Sequence, residues 1–138
     1  MVDVTWTPEP DGSPDPGEVV WAWVPYEEDP TRGKDRPVLL LAPTDPQAPA
    51  DDADWYALGM TSKDHDRDEE QEAAAGRHWI DVGTGGWDRE GRPSEVRLDR
   101  LLRLPASSVR REGARLDRAV FDRVVAEAAR FHDLRPAD

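Results

Sequence analysis

The chain has 138 residues, a formal net charge of −12 at pH 7 and no cysteine. That length suits one domain with a modest core, and the missing thiols exclude disulfides and thiolate metal sites. The acidity argues against a generic nucleic-acid binder, which normally presents a basic face.

Residues 1 to 16 carry Pro8, Pro10, Pro14 and Pro16 among acids and Gly12. Such a segment buries too little apolar area to offset its ordering entropy, which predicts a flexible arm ahead of a single domain over 17–138. With no basic start and no apolar stretch, it does not read as a secretion signal. The longest apolar run, Val38 to Ala42, is far too short to span a bilayer. The stretch "GEVVWAWVPY" alternates strictly, with Val19, Trp21 and Trp23 on one face and Val20, Ala22 and Val24 on the other. That pattern predicts a strand covered on both faces. A polar loop, "EEDPTRGKD", leads into "PVLLLA", a short buried strand with Pro37 at its start, where proline is tolerated.

After an acidic, turn-rich loop, "DWYALGMTS" reads as a third strand ending at Thr61 and Ser62. The stretch from Lys63 to Arg77 is strongly acidic, and its Ala-rich end suggests a short helical turn. "HWIDV" is a fourth strand. "SEVRLDRLLRL" reads as a strand, a kink near Asp99 and another strand, and Pro105 opens a short helical connection. From Asp117 the pattern is helical, with Val120, Phe121, Val124, Val125, Ala128 and Phe131 near a 3.6-residue period. Asp117 is the expected N-cap, and Leu116 and Phe121 the expected hydrophobic staple. Strands first and one terminal helix last predict a mainly β fold, a small antiparallel sheet or barrel covered by a helix.

Several signals dissolve on inspection. Asp64, Asp66 and Asp68 open like a calcium loop, but Glu69 stands where glycine is needed and Ala75 where glutamate is needed. "GTGGWD" has no following helix to receive a pyrophosphate. His65, His78 and His132 are too scattered for a zinc site, and no nucleophile elbow is present. No cofactor and no metal are expected.

One constellation survives. Arg36, held between a turn and a buried strand, carries a planar, permanently charged fork suited to an oxyanion or phosphate. Thr61 and Ser62 supply hydroxyls at a strand end in the same sheet. The residues alone leave a plainer reading open, in which Arg36 pairs with Asp35 or Glu27 and Thr61 caps a strand.

The order of these elements resembles the PemK/MazF family of toxin endoribonucleases. "PGEVVWAWVPYEEDPTRGKDRPVLLLA" is similar to the family's Gly-x-Val-x-Trp strand, long loop and Arg-Pro-Val strand. "LGMTSKD" looks like its threonine-ending strand, and "EVRLDRLLRLPASSV" like its late strand pair. The resemblance spans roughly residues 17 to 131, and Arg-Pro-Val is its most specific part. It implies an SH3-like barrel, a homodimer and metal-independent cleavage of single-stranded RNA. It matches Arg36 and Thr61 to the family's catalytic arginine and threonine. A cytoplasmic toxin with a cognate antitoxin partner and no membrane contact is the corresponding expectation. In such a site the RNA 2′-hydroxyl attacks the adjacent phosphorus, with Ser62 beside Thr61 and Glu27, Glu28 or His65 within reach as general base. Two rivals share the sequence features: a catalytically inactive SH3-like binding module, and an adaptor using its acidic face on a basic partner.

Overall fold

The computed structural model describes residues 2–4, 6, 15–45, 47, 53–62 and 76–136. Eight strands and one α-helix make up the fold: β1 (Val2–Val4), β2 (Glu18–Pro25), β3 (Gly33–Pro43), β4 (Trp55–Thr61), β5 (Trp79–Gly83), β6 (Ser94–Leu104), β7 (Val109–Arg115), α1 (Arg118–Ala128) and β8 (Leu134–Pro136). Six strands form one antiparallel sheet in the order β5-β6-β4-β3-β2-β7. Among the described residues no ladder closes β5 onto β7. The loop after β5 nevertheless folds back across that gap: the Trp21 indole N–H donates to the Trp87 carbonyl at 3.1 Å.

The β2–β3 hairpin positions everything that follows. Its register runs from Val19 opposite Leu39 to Pro25 opposite Gly33. The loop between is pinned by the Tyr26 N–H donating to the Arg32 carbonyl at 2.8 Å, and by Thr31 Oγ1 donating to Asp29 at 2.6 Å. Gly33 has to be small, because a Cβ there would lie 2.5 Å from the Val24 carbonyl oxygen. Strand β3 therefore starts at Gly33, four residues before the expected Pro37, and Arg36 lies within the hairpin opposite Ala22. Pro37 stands one residue before pairing to β4 begins at Val38. Polar composition had disguised this part of the strand as loop.

Both faces of the sheet are packed. Val20, Ala22, Val24, Val38, Leu40, Ala57, Leu102 and Leu104 form one cluster. Val19, Leu39, Leu41, Leu58, Met60 and Val96 form the other, beneath Phe121, Val124, Val125 and Ala128 of α1. The helix thus buries the i, i+3, i+4, i+7 stripe that its sequence marks. Asp117 occupies the N-cap position without a side-chain capping bond, while Leu116 and Phe121 are buried in one cluster, as a hydrophobic staple requires. Coverage of β2 is uneven: Val19 is buried on the helix side, but Trp23 further along that face is 51% exposed.

Of the amino-terminal segment, the structure describes residues 2–4, 6, 15 and 16. Val2–Val4 pair in parallel with β8, Val4 is 2% exposed within the helix-side core, and the Trp6 indole N–H donates to the Leu116 carbonyl at 2.7 Å. Proline and acid content said nothing of three apolar-rich residues finding a partner far along the chain. The acidic stretch with His65, Asp64, Asp66 and Asp68, and the expected helical turn there, lie outside the described residues.

Candidate active site

Alternate residues of a strand share a face, and this parity assembles the site. Arg36 follows the face of Val38 and Leu40, and Thr61 that of Ala57 and Gly59. Arg97 on β6 pairs with Trp79 on β5. Where the inner apolar cluster ends, these side chains line a cavity of about 290 Å³. Tyr26, Glu27, Glu28 and Lys34 close it from the hairpin loop and the start of β3, and Arg100 adds a further cation. Four basic residues (Lys34, Arg36, Arg97, Arg100) face two acids (Glu27, Glu28) in this lining. The ratio inverts that of the whole chain, where 30 acids oppose 18 bases.

β6 supplies the cations because its pairing breaks. Leu58 pairs with Leu101, but Met60 pairs with Val96. Two residues of β4 therefore span five of β6, and the stretch containing Arg97, Asp99 and Arg100 is released from that ladder. This is the expected kink near Asp99, within one continuous strand. Asp99 accepts from Arg97 Nη2 at 2.7 Å, from Arg97 Nε at 3.1 Å and from the His78 backbone N–H at 2.7 Å. Burial alone would raise the Asp99 carboxyl; the bonds from Arg97 and His78 outweigh it and hold it below the ordinary carboxylate range. Burial likewise opposes the charge on Arg97, and Asp99 and Glu27 overcome it. Arg100 Nη2 donates to the Pro25 carbonyl at 2.8 Å, fixing the root of the hairpin loop.

Arg36 is compensated least. Its Nε is buried and has no hydrogen-bond partner among the described residues. Burial is the chief influence lowering its pKa; Tyr26 and Glu28 act against it, while Arg100 and Arg97 reinforce it. An arginine remains charged regardless, so the shift reflects the cost of half-burying a guanidinium to which, among the described residues, no acid is bound. An anion entering the cavity would relieve that cost. Gly59, paired opposite Val38, lies beside the Arg36 stem, where even a Cβ would make only ordinary contact at 3.8 Å from Arg36 Cδ.

The sequence-derived candidates separate clearly. Arg36, Thr61, Glu27 and Glu28 line the one cavity, whereas Ser62 is exposed and outside its lining. Asp35 pairs with Arg110 instead of Arg36, and Glu27 with Arg97. His65 lies outside the described residues. Tyr26, Lys34, Trp79, Arg97 and Arg100 were not anticipated. The available signal was the cluster Arg97, Asp99, Arg100 where the alternation of the strand is interrupted.

The fold is thus a small, mainly antiparallel β sheet with one α-helix and a cation-rich cavity beside its β2–β3 hairpin. The chain belongs to the family of PemK-like, MazF-like toxins of type II toxin-antitoxin systems, whose model matches residues 15–132. That family implies an antitoxin protein as partner. No curated protein matches the sequence. Among the described residues no helix is long and apolar enough to cross a membrane.

Proposed function

We propose that the protein is an endoribonuclease toxin that cleaves single-stranded RNA, including mRNA, by attack of a 2′-hydroxyl on the adjacent phosphate, without a metal ion. The observation that carries this reading is Arg36, with its buried Nε unpartnered among the described residues, on the wall of a cation-rich cavity that Thr61 also lines. In the reaction the 2′-oxygen bonds to phosphorus, the phosphorane gathers charge on its equatorial oxygens, and the 5′-oxygen leaves and takes up a proton. Arg36 is positioned to bind that charge more strongly in the transition state than in the ground state, the condition for catalysis. Thr61 orients the phosphate or the 2′-oxygen.

Of the candidate bases, Glu28 fits best. Both carboxylate oxygens of Glu27 are already engaged by Arg97, so a 2′-hydroxyl would have to compete with that arginine for them. Glu28 lines the cavity and acts electrostatically on Arg36. Trp79 supplies an aromatic wall against which a base can stack. The working unit is a homodimer in the cytoplasm, held inactive by its antitoxin.

The test is cleavage of an end-labelled single-stranded RNA in excess chelator. Products ending in a 2′,3′-cyclic phosphate and a 5′-hydroxyl are expected, with no cleavage where the 2′-hydroxyl is replaced by hydrogen. Activity only with added magnesium would overturn the reading, and binding without cleavage would identify an inactive module on the same fold.

A further inference from the structure

Two acids hold Arg97, and they differ in kind. Asp99 is interior: its side chain is 11% exposed, and it grips both Nε and Nη2 of an arginine that is itself only 13% exposed. Glu27 is peripheral. It sits on the hairpin loop, its side chain is 54% exposed, and its two oxygens reach Nη2 at 3.1 and 3.2 Å. Asp99 fixes the guanidinium in place, and Glu27 covers the side turned to the cavity.

We propose that Glu27 stands in for an RNA phosphate on Arg97 until RNA displaces it. This rests on the RNA-cleaving reading above. A carboxylate and a phosphodiester offer an arginine the same pair of anionic oxygens. An exposed ion pair contributes little stability and exchanges readily, whereas a buried, multiply bonded one does not. The outer partner is therefore replaceable, and the inner one keeps Arg97 aimed after the exchange. Arg36 and Arg97 line the same cavity, and single-stranded RNA carries a phosphate at every nucleotide. One phosphate at Arg36 and a neighbouring one at Arg97 use both cations. Arg100 fixes the loop root at Pro25, so Glu27 can swing aside without unravelling the hairpin. The exchange also discriminates against stray anions: a ligand must displace Glu27 from Arg97 while satisfying Arg36.

The decisive experiment measures equilibrium binding of a 2′-O-methyl oligonucleotide, which cannot be cleaved, alongside cleavage of the same sequence as unmodified RNA. Glu27→Gln is expected to tighten binding about three- to fivefold, the size of effect expected from removing one partly solvated charge. Arg97→Gln is expected to weaken binding about tenfold, and to abolish the gain from Glu27→Gln when the two are combined. Glu27 is exposed, so its substitution keeps the test valid even if Arg97→Gln fails to fold. Wild-type cleavage with no gain in affinity from Glu27→Gln would overturn this proposal alone. A persisting gain in a folded double variant would do the same. A wild type that neither binds nor cleaves would overturn it together with the proposed function.

Discussion

Arg36 and Arg97 line one cavity, yet among the described residues only Arg97 has acids bound to it. Arg36 was legible because Arg-Pro-Val enters the most apolar run in the chain, so its side chain had to stand beside a buried strand. Arg97 was not, because its orientation depends on a break in pairing that no local pattern encodes. Asp99 is the residue that makes Arg97 useful, and its titration can be read. Its pKa is depressed in the folded protein, below an unfolded value of about 3.9. The stability it contributes is therefore fully present above that unfolded value and is lost as pH falls through the folded one. Asp99→Asn is accordingly expected to lower stability at pH 7, with the gap to wild type narrowing below about pH 4. Urea denaturation at neutral and acid pH measures both. A gap that stays constant would show that Asp99 acts by shape and not by charge.

At the scale of elements, strong periodicity was decisive and short elements were invisible. Strict alternation marked β2, and the 3.6-residue stripe marked α1. Strands β1 and β8 have three residues each and stabilise one another across nearly the whole chain, so neither carries a signal on its own. β7 is charged and pairs at an edge of the sheet, where apolar alternation is not required. The consequence of the β1–β8 pair is testable. Val4 is buried against the helix-side core, so Val4→Ala is expected to destabilise by about 1–3 kcal/mol, the range for removing buried methyl groups. Chemical denaturation should report that loss. A variant as stable as wild type would show that Val4 adds nothing to the helix-side core.

For the whole molecule, the proposed function requires a chain of net charge −12 to engage a polyanion. Long-range attraction is weak or repulsive, so recognition must be concentrated in the cavity, where the local balance is cationic. Few counterions are then released on binding. About two to four neutralised phosphates should give a slope of log affinity against log salt of about −1.4 to −2.8 for single-stranded RNA. A much steeper slope would require a basic surface built across two copies of the chain.

The central claim is that Arg36 stabilises the phosphorane, and turnover of single-stranded RNA by Arg36→Ala and Arg36→Lys tests it most directly. The alanine variant is expected to lose about a hundredfold or more in turnover, as loss of an oxyanion-type donor does. Binding of the uncleavable oligonucleotide should change far less, and lysine should restore little because the bidentate fork is gone. Full turnover in a folded Arg36→Ala variant would contradict the account.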